Sequence, residues 1–406
     1  MMKIRIGKKC ITDIFMGLFI VILLAFRDYS SLVIVLSIIL LGWLLITRAR
    51  SGQIFKGIFE FSAMKLLFIV LCMISALWSP NRSIMYLCTS MLFRLIICLC
   101  ILLYINNEEN LIKVMRFLVL GSIVLCLRMI IVVPTSAWGN SRVGLYLAHD
   151  IDNSYGNTGI TYVLGVVTAI IIADINYKVI KKKWKLLFIG IFTIFSLLSG
   201  SKKQIFILLI AYFTVKILNA DGVSKFLRNT IYFFIGSVAI VYLILYVPVL
   251  YNAIGYRLVS FFSFFGKNSS ANMEDLSTLS RISFLKDAIN VFLANPIIGV
   301  GIDSFKYYNS FQFSWAECNY LELMADLGLV GLAVYYMPHI YIIKTMKKVK
   351  KNKESVSLMI YVLLLVLLFI DLTMVSYNET HLQLYLAILF SYSIIYKRNG
   401  RKVYDE

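Results

Sequence analysis

Ile84–Ile105 reads IMYLCTSMLFRLIICLCILLYI, and Arg94 is its single formal charge. A run of that length and greasiness crosses the hydrocarbon layer of a bilayer as one helix. It has company throughout the chain. Across 406 residues the hydrophobic fraction is 60% and the charged fraction only 15%, with a mean hydropathy of +0.83. Inside hydrocarbon no water pairs with backbone N–H and C=O groups, so these runs read as helices, which satisfy themselves. A transmembrane barrel would need short segments alternating apolar and polar residues, and those are absent. The fold class that follows is all-α and integral to a membrane.

Working outward from 84–105, twelve spans are expected: 11–26, 30–47, 64–78, 84–105, 114–133, 157–175, 186–199, 205–219, 230–249, 328–343, 356–375 and 382–396. The first follows Lys3, Arg5, Lys8 and Lys9 without a small-residue cleavage site, and reads as an uncleaved helix rather than a signal peptide. Net charge is +19, which by itself would suit nucleic acid. The distribution argues otherwise. Lys and Arg crowd into alternate connections, above all KVIKKKWK (178–185) and KTMKKVKKNK (344–353). That bias places both termini in the cytoplasm and makes the basic runs topology anchors, against the alternative of an anionic-lipid site. The seven cysteines form no disulfide framework. Cys318 alone is expected outside, where a small packing residue is favoured over a nucleophile.

The chain reads as a single polytopic membrane domain, 1–406, with a long extracytoplasmic loop at about 250–327. No internal repeat is visible, which weighs against an inverted-repeat transporter. Within the long loop, Arg281–Ala294 has a helical rhythm whose apolar face is Ile282, Leu285, Ala288, Ile289 and Phe292. Asn295-Pro296 stops it. Helix is expected to resume between Glu317 and Asp326 and to run into the tenth span.

Polar side chains from distant segments fall on the outer face in this topology. Arg142 comes from the loop 134–156, and Lys202 and Lys203 from the turn after the seventh span. Arg257, Arg281 and Lys286 come from the long loop, and Glu317 and Asp326 from its end. Arg and Lys at a membrane surface can hold a phosphorylated leaving group, and a carboxylate can accept the proton of an attacking hydroxyl. Each has an ordinary reading as well. Arg281 would meet lipid headgroups, Lys202 and Lys203 would solvate a turn, and Glu317 would complement a helix dipole. His149 and His381 are alternative bases. No clustered carboxylates or His/Asp spacing suggests a metal, and no cofactor is expected. Four ionisable groups lie inside expected spans: Arg94, Arg128, Asp174 and Asp371. Such groups are costly there and often functional. Asp174 is expected to reach water, Arg128 to snorkel or join the site, and Arg94 to need a partner such as Asp371.

The end of the long loop resembles the C-terminal signature of the O-antigen polymerase and O-antigen ligase superfamily. The residues that carry it are Arg281, Pro296, Gly299, Gly301, Phe305, Glu317, Asn319, Tyr320, Leu321, Gly328 and Gly331. Weaker echoes are Ser199-Gly200-Ser201-Lys202 and the set Arg142, Asn153, Gly156. The resemblance implies a GT-C-like membrane glycosyltransferase, inverting and metal-independent, in a bacterial cell membrane. Donor and acceptor would be polyprenyl-pyrophosphate-linked glycans. Further partners would be a chain-length regulator and a flippase, with no nucleic acid. On this reading Arg142, Lys202, Lys203, Arg257 and Arg281 hold pyrophosphate and sugar, Glu317 activates the hydroxyl, and Asn319 orients substrate or Glu317. Ligases of the superfamily tend to carry His at the position of Glu317, and Lys202 stands where Arg is usual. The acidic residue favours polymerase. The alternatives are ligase-like transfer to another acceptor, or a flippase or transporter.

Overall fold

The computed structural model describes residues 8–48, 52–134, 138, 145, 157–199, 203–220, 223–247, 251, 276–310, 315–347 and 355–402. The described chain is all-α. Its helices are α1 (Lys8–Ala25), α2 (Ser30–Arg48), α3 (Gly52–Ser75), α4 (Ile84–Tyr104), α5 (Glu108–Val132), α6 (Asn157–Ala173) and α7 (Lys182–Leu198). They continue with α8 (Lys203–Leu218), α9 (Val223–Tyr246), α10 (Leu276–Ala294), α11 (Asn319–Met346), α12 (Ser355–Asp371) and α13 (Thr380–Lys402). Each of the twelve apolar runs overlaps one of these helices, and α10 is the extra, loop-borne one. Among the described residues, four helical stretches are long and apolar enough to cross a membrane: Lys56–Ser75, Ile84–Tyr104, Glu108–Val132 and Asn319–Met346. Cys10–Ala25, Ser31–Thr47, Thr158–Ala173 and Val356–Asp371 are shorter apolar helices. Their outward residues are greasy. On α9, Ile231, Phe234, Ile235 and Val238 are all more than half exposed, a surface that lipid accepts and water does not.

The chain forms two compact units. The first comprises Met1–Gly52, Cys100–Ile254 and Val349–Val366. In it α1 packs on α5, and α6 packs on α7 and α8. Two of the charged residues expected inside spans, Arg128 and Asp174, have partners here. Arg128 donates twice to Asp28, at 2.6 and 2.5 Å, and once to the carbonyl of Ala25 at 2.6 Å. Its guanidinium also lies over the rings of Phe26 and Tyr29. The turn between α1 and α2 is thus locked to α5, with Arg128 engaged by Asp28 and Ala25. Asp174 is a correction. It is buried instead of reaching water, because its carboxylate accepts the backbone N–H groups of Lys178, Val179 and Ile180 and so closes the turn after α6.

The second unit comprises Gln53–Leu99, Gly255–Lys348 and Leu367–Glu406. Here α11 packs on both α10 and α13. A continuous hydrogen-bonded network runs through the helices. Lys65 Nζ donates to Gln383 Oε1 at 2.6 Å, and Gln383 Nε2 donates to the Tyr335 hydroxyl at 3.2 Å. Tyr335 pairs with Ser376, whose backbone N–H donates to Asn319 Oδ1. Asn319 Nδ2 donates to the Tyr336 hydroxyl, which donates to Asp371 Oδ2 at 2.7 Å. Asp371 is therefore engaged by Tyr336, while Arg94 lines a small cavity with Lys65, Cys98 and Gln383.

α10 begins earlier than the sequence rhythm indicates, at Leu276 rather than Arg281. Its buried face also differs. Phe284 and Ala288 are buried, and Ala288 and Val291 pack against Phe305, Ala316, Leu321 and Ala325. Ile289 and Leu293 point outward with Ile297 and Ile298 beyond the helix end. The sequence rhythm mixed two apolar faces, one packed on protein and one exposed.

Candidate functional site

The residues that drew attention in sequence build one backbone device in the second unit. α11 is broken at Gly328, where φ is 63° and ψ −160°. An uninterrupted helix would donate Leu329 N–H to the Ala325 carbonyl and Val330 N–H to that of Asp326. Here both donors turn to the loop after α10: Leu329 N to the Pro296 carbonyl at 2.9 Å, Val330 N to that of Ile297 at 3.2 Å. The two freed carbonyls are taken by the same loop. Val300 N donates to Ala325 O at 3.1 Å and Gly301 N to Asp326 O at 2.7 Å. Four groups orphaned by the break are thus paired by four groups of the inserted loop, as burial demands.

Glycine at two positions makes this exchange possible. A Cβ on Gly299 would lie 2.3 Å from the carbonyl carbon and oxygen of Asp326, and a Cβ on Gly328 would lie 2.3 Å from those of Ile297. Both residues also have positive φ, which a side chain disfavours. The Pro-x-x-Gly and Gly-Leu-Val-Gly elements of the sequence are the two halves of one contact.

Carboxylates hold the device from inside. Asp326 is fully buried, and its oxygens accept the backbone N–H groups of Asp303 (2.6 Å), Ser304 (3.0 Å) and Phe305 (2.8 Å). Listing Asp326 with the outer-face carboxylates is therefore corrected: it caps the single turn Phe305–Tyr307. Glu322 is likewise buried and accepts the Ala316 N–H at 2.6 Å. Neighbouring connections join from two sides. Ser79 pairs with Ser304 at 2.5 Å, Asn81 Nδ2 donates to Asp303 Oδ2 at 3.0 Å, and Ile302 N donates to Ser75 Oγ at 3.1 Å. Ser376 and Tyr377, between α12 and α13, both donate backbone N–H to Asn319 Oδ1. The connections 76–83, 295–318 and 372–379 thus meet at one end of this unit's helices.

Two side chains are displayed on this scaffold. Glu317 is exposed and its φ is 52°. α11 begins at Asn319, so Glu317 lies just outside the helix rather than in its first turn. Trp315 is also exposed, with its Nε1 donating to Asp303 Oδ1 at 3.0 Å. Asp303 has a φ of 55° and accepts from Lys306 Nζ at 2.6 Å as well. Two non-glycine residues in the left-handed region therefore lie in one short segment, and such strain concentrates at working sites. Between the displayed residues and α11, Cys318 is buried and desolvation pushes its thiol pKa up, as befits a packing residue.

The other sequence candidates divide. Asn319 does not face a ligand: it is fully buried and ties Ser376, Tyr377 and Tyr336 together. Of the two expectations for it, orienting substrate or Glu317, its burial favours the second, as part of the scaffold beneath Glu317. Arg281 lies on α10, with its side chain outside the described residues. Arg142, Lys202, Arg257 and His149 also lie outside the described residues. Lys203 opens α8 in the first unit, half-buried, with Nζ 5.1 Å from the centre of the Tyr162 ring. His381 is buried beside Glu379 at 3.6 Å, and is no exposed base. Sequence reasoning passed over Asp303, Asn81 and Glu322. The available signal was an Asp two residues after the Gly-x-Gly element, since Asp tolerates positive φ better than most residues. Among the described residues no cluster of His, Cys, Asp and Glu could hold a metal ion. No protein-family model matches the chain, and a search of curated proteins finds no match either.

Proposed function

We propose that the chain is a polysaccharide polymerase of the bacterial cell membrane. It would join polyprenyl-pyrophosphate-linked repeat units at the outer face, through twelve spans on a GT-C-like scaffold with both termini in the cytoplasm. The observation that supports this most directly is Glu317. It is an exposed carboxylate held in a left-handed conformation, directly after Ala316, whose N–H the buried Glu322 accepts, and two residues before the buried tie Asn319. A base must stand at a fixed position to accept a hydroxyl proton, and this one rests on a preorganised backbone.

In the proposed step the acceptor sugar's hydroxyl oxygen attacks the anomeric carbon of the donor. Its proton passes to Glu317 as the bond to the polyprenyl pyrophosphate breaks, and the electron pair of that bond leaves with the pyrophosphate. Arg281 and Arg257, in the same unit as Glu317, are assigned to the leaving group's charge, and the exposed Trp315 stands two residues before the base. A chain-length regulator and a flippase would be its partners. The test is purified protein in detergent with a lipid-linked repeat unit and a chelator. A ladder of longer products is expected from the wild type and none from Glu317→Gln or Arg281→Ala of equal stability. Unchanged ladders in both variants would remove the proposal.

A second reading, transport of a lipid-linked glycan, is favoured by the network from Lys65 to Asp371, because ionisable groups linked inside membrane helices often serve transport. It requires Asp371→Asn to abolish function while Glu317→Gln leaves it intact.

A further inference from the structure

Opposite the connections that surround Glu317, the other ends of α3, α11 and α13 form a second site. A cleft of about 90 Å³ is lined by Lys56, Gly57, Glu60, Tyr341, Lys397 and Arg398, with Ile394 behind. One water needs only about 10–15 Å³ by the same kind of measure, so the cleft has room for a polyatomic ligand. Its walls carry three cations and one carboxylate. Glu60 is already engaged, accepting the Tyr341 hydroxyl at 2.7 Å. The Tyr341 ring is stacked on Phe390 at 4.7 Å, and Lys397 Nζ lies 3.8 Å from its centre. A rigid aromatic floor therefore fixes one ammonium at the cleft. Gly57 shapes the back wall, since a Cβ there would come within 2.6 Å of Ile394 Cγ1. α3 and α13 approach closely only because that side chain is missing.

We propose that this cleft binds a phosphate group. The excess of positive charge calls for an anion, and an Arg fork beside two Lys point charges suits the several acceptor oxygens of phosphate. The level of the cleft fits as well. Lys56 opens the apolar stretch Lys56–Ser75, and Lys397 and Arg398 follow the apolar part of α13, so all three cations lie where a bilayer's headgroups begin. Basic pockets between membrane helices at that level take anionic headgroups. The phosphate belongs either to such a lipid or to a soluble phosphate.

The full-length protein in neutral detergent is examined by native mass spectrometry and thermal unfolding. The probes are phosphatidylglycerol, phosphatidylcholine and inorganic phosphate. The variants are Lys397→Gln/Arg398→Gln, the single Lys56→Gln, and the charge-matched control Lys182→Gln/Lys183→Gln on α7. Wild type and control are expected to retain phosphatidylglycerol over phosphatidylcholine. In the double variant the apparent affinity is expected to fall about tenfold or more, equivalent to 1.4 kcal/mol or more, with a smaller fall for Lys56→Gln. Retention that survives millimolar inorganic phosphate identifies a lipid headgroup. Stabilisation by inorganic phosphate alone, lost in the variants, identifies a soluble phosphate. The proposal is overturned if cleft variants and control lose binding equally, or if neither probe binds the wild type. Should the double variant not fold, Lys56→Gln decides by the same criterion. None of these readouts depends on the polymerase assignment.

Discussion

Gly328→Ala tests the interlock between α11 and the loop after α10. A side chain at φ 63° and ψ −160°, a region that is essentially glycine's alone, costs ~1–3 kcal/mol. The new Cβ would also lie 2.3 Å from the Ile297 carbonyl carbon and oxygen, so the loop must move away. That movement breaks the bonds from Leu329 and Val330 to Pro296 and Ile297, at about 1 kcal/mol each. The local loss is then about 3–5 kcal/mol, and opening of the break becomes roughly 100- to 5,000-fold more frequent. Hydrogen exchange followed by mass spectrometry in detergent reads this directly, in peptides covering 295–302 and 325–331. Gly190→Ala in α7 is the control, because nothing lies within 4 Å of the added atom and Ala in a helix is favoured over Gly by up to ~1 kcal/mol. Gly299→Ala attacks the same bonds from the other side, so combining it with Gly328→Ala costs much less than the sum of the two. If Gly328→Ala exchanges like the wild type, or the two changes add fully, the exchanged hydrogen bonds do not exist as described.

Three further outcomes are expected. Asp326→Asn replaces an oxygen that accepts backbone N–H groups by an NH2, and loses ~2–3 kcal/mol from charged hydrogen bonds; a lowered unfolding midpoint is expected for it but not for the exposed Glu317→Gln. Arg128→Ala leaves Asp28 buried and unpaired, and is expected to cost ~3–5 kcal/mol, read as loss of folded protein on fluorescence-detected size exclusion. In a Cys10→Ser background, Cys318 is expected to resist a maleimide at neutral pH: burial raises its pKa, so the thiol stays protonated below that raised value and reactivity appears only as pH climbs through it. Rapid labelling of the folded protein at neutral pH would contradict the packing of Cys318 beneath Glu317.

Much of this molecule follows from one-dimensional information. Apolar runs with few polar side chains favour helix, and each of the twelve overlaps one in the structure, although only four described stretches are long and apolar enough to cross a membrane. Asn295-Pro296 and Gly299 marked where the helix after Arg281 stops, because glycine and proline penalties are local and do not depend on partners. The break at Gly328 was not legible, since the sequence reads as helix running unbroken from 317–326 into the tenth span. The fate of the charged side chains was not legible in that way. Asp326 and Glu317 are nine residues apart and both acidic, yet one is consumed by three backbone donors and the other is displayed. Asn319 looked like a substrate ligand and is a buried tie. Whether a polar group is spent inside or presented outside depends on which donors the rest of the chain brings to it. The donors of Asn319 arrive from residues 376 and 377, more than fifty positions away. Hydropathy is a sum over neighbours in sequence and fixes the helices. Hydrogen bonding is a pairing over neighbours in space, and only the tertiary structure supplies those.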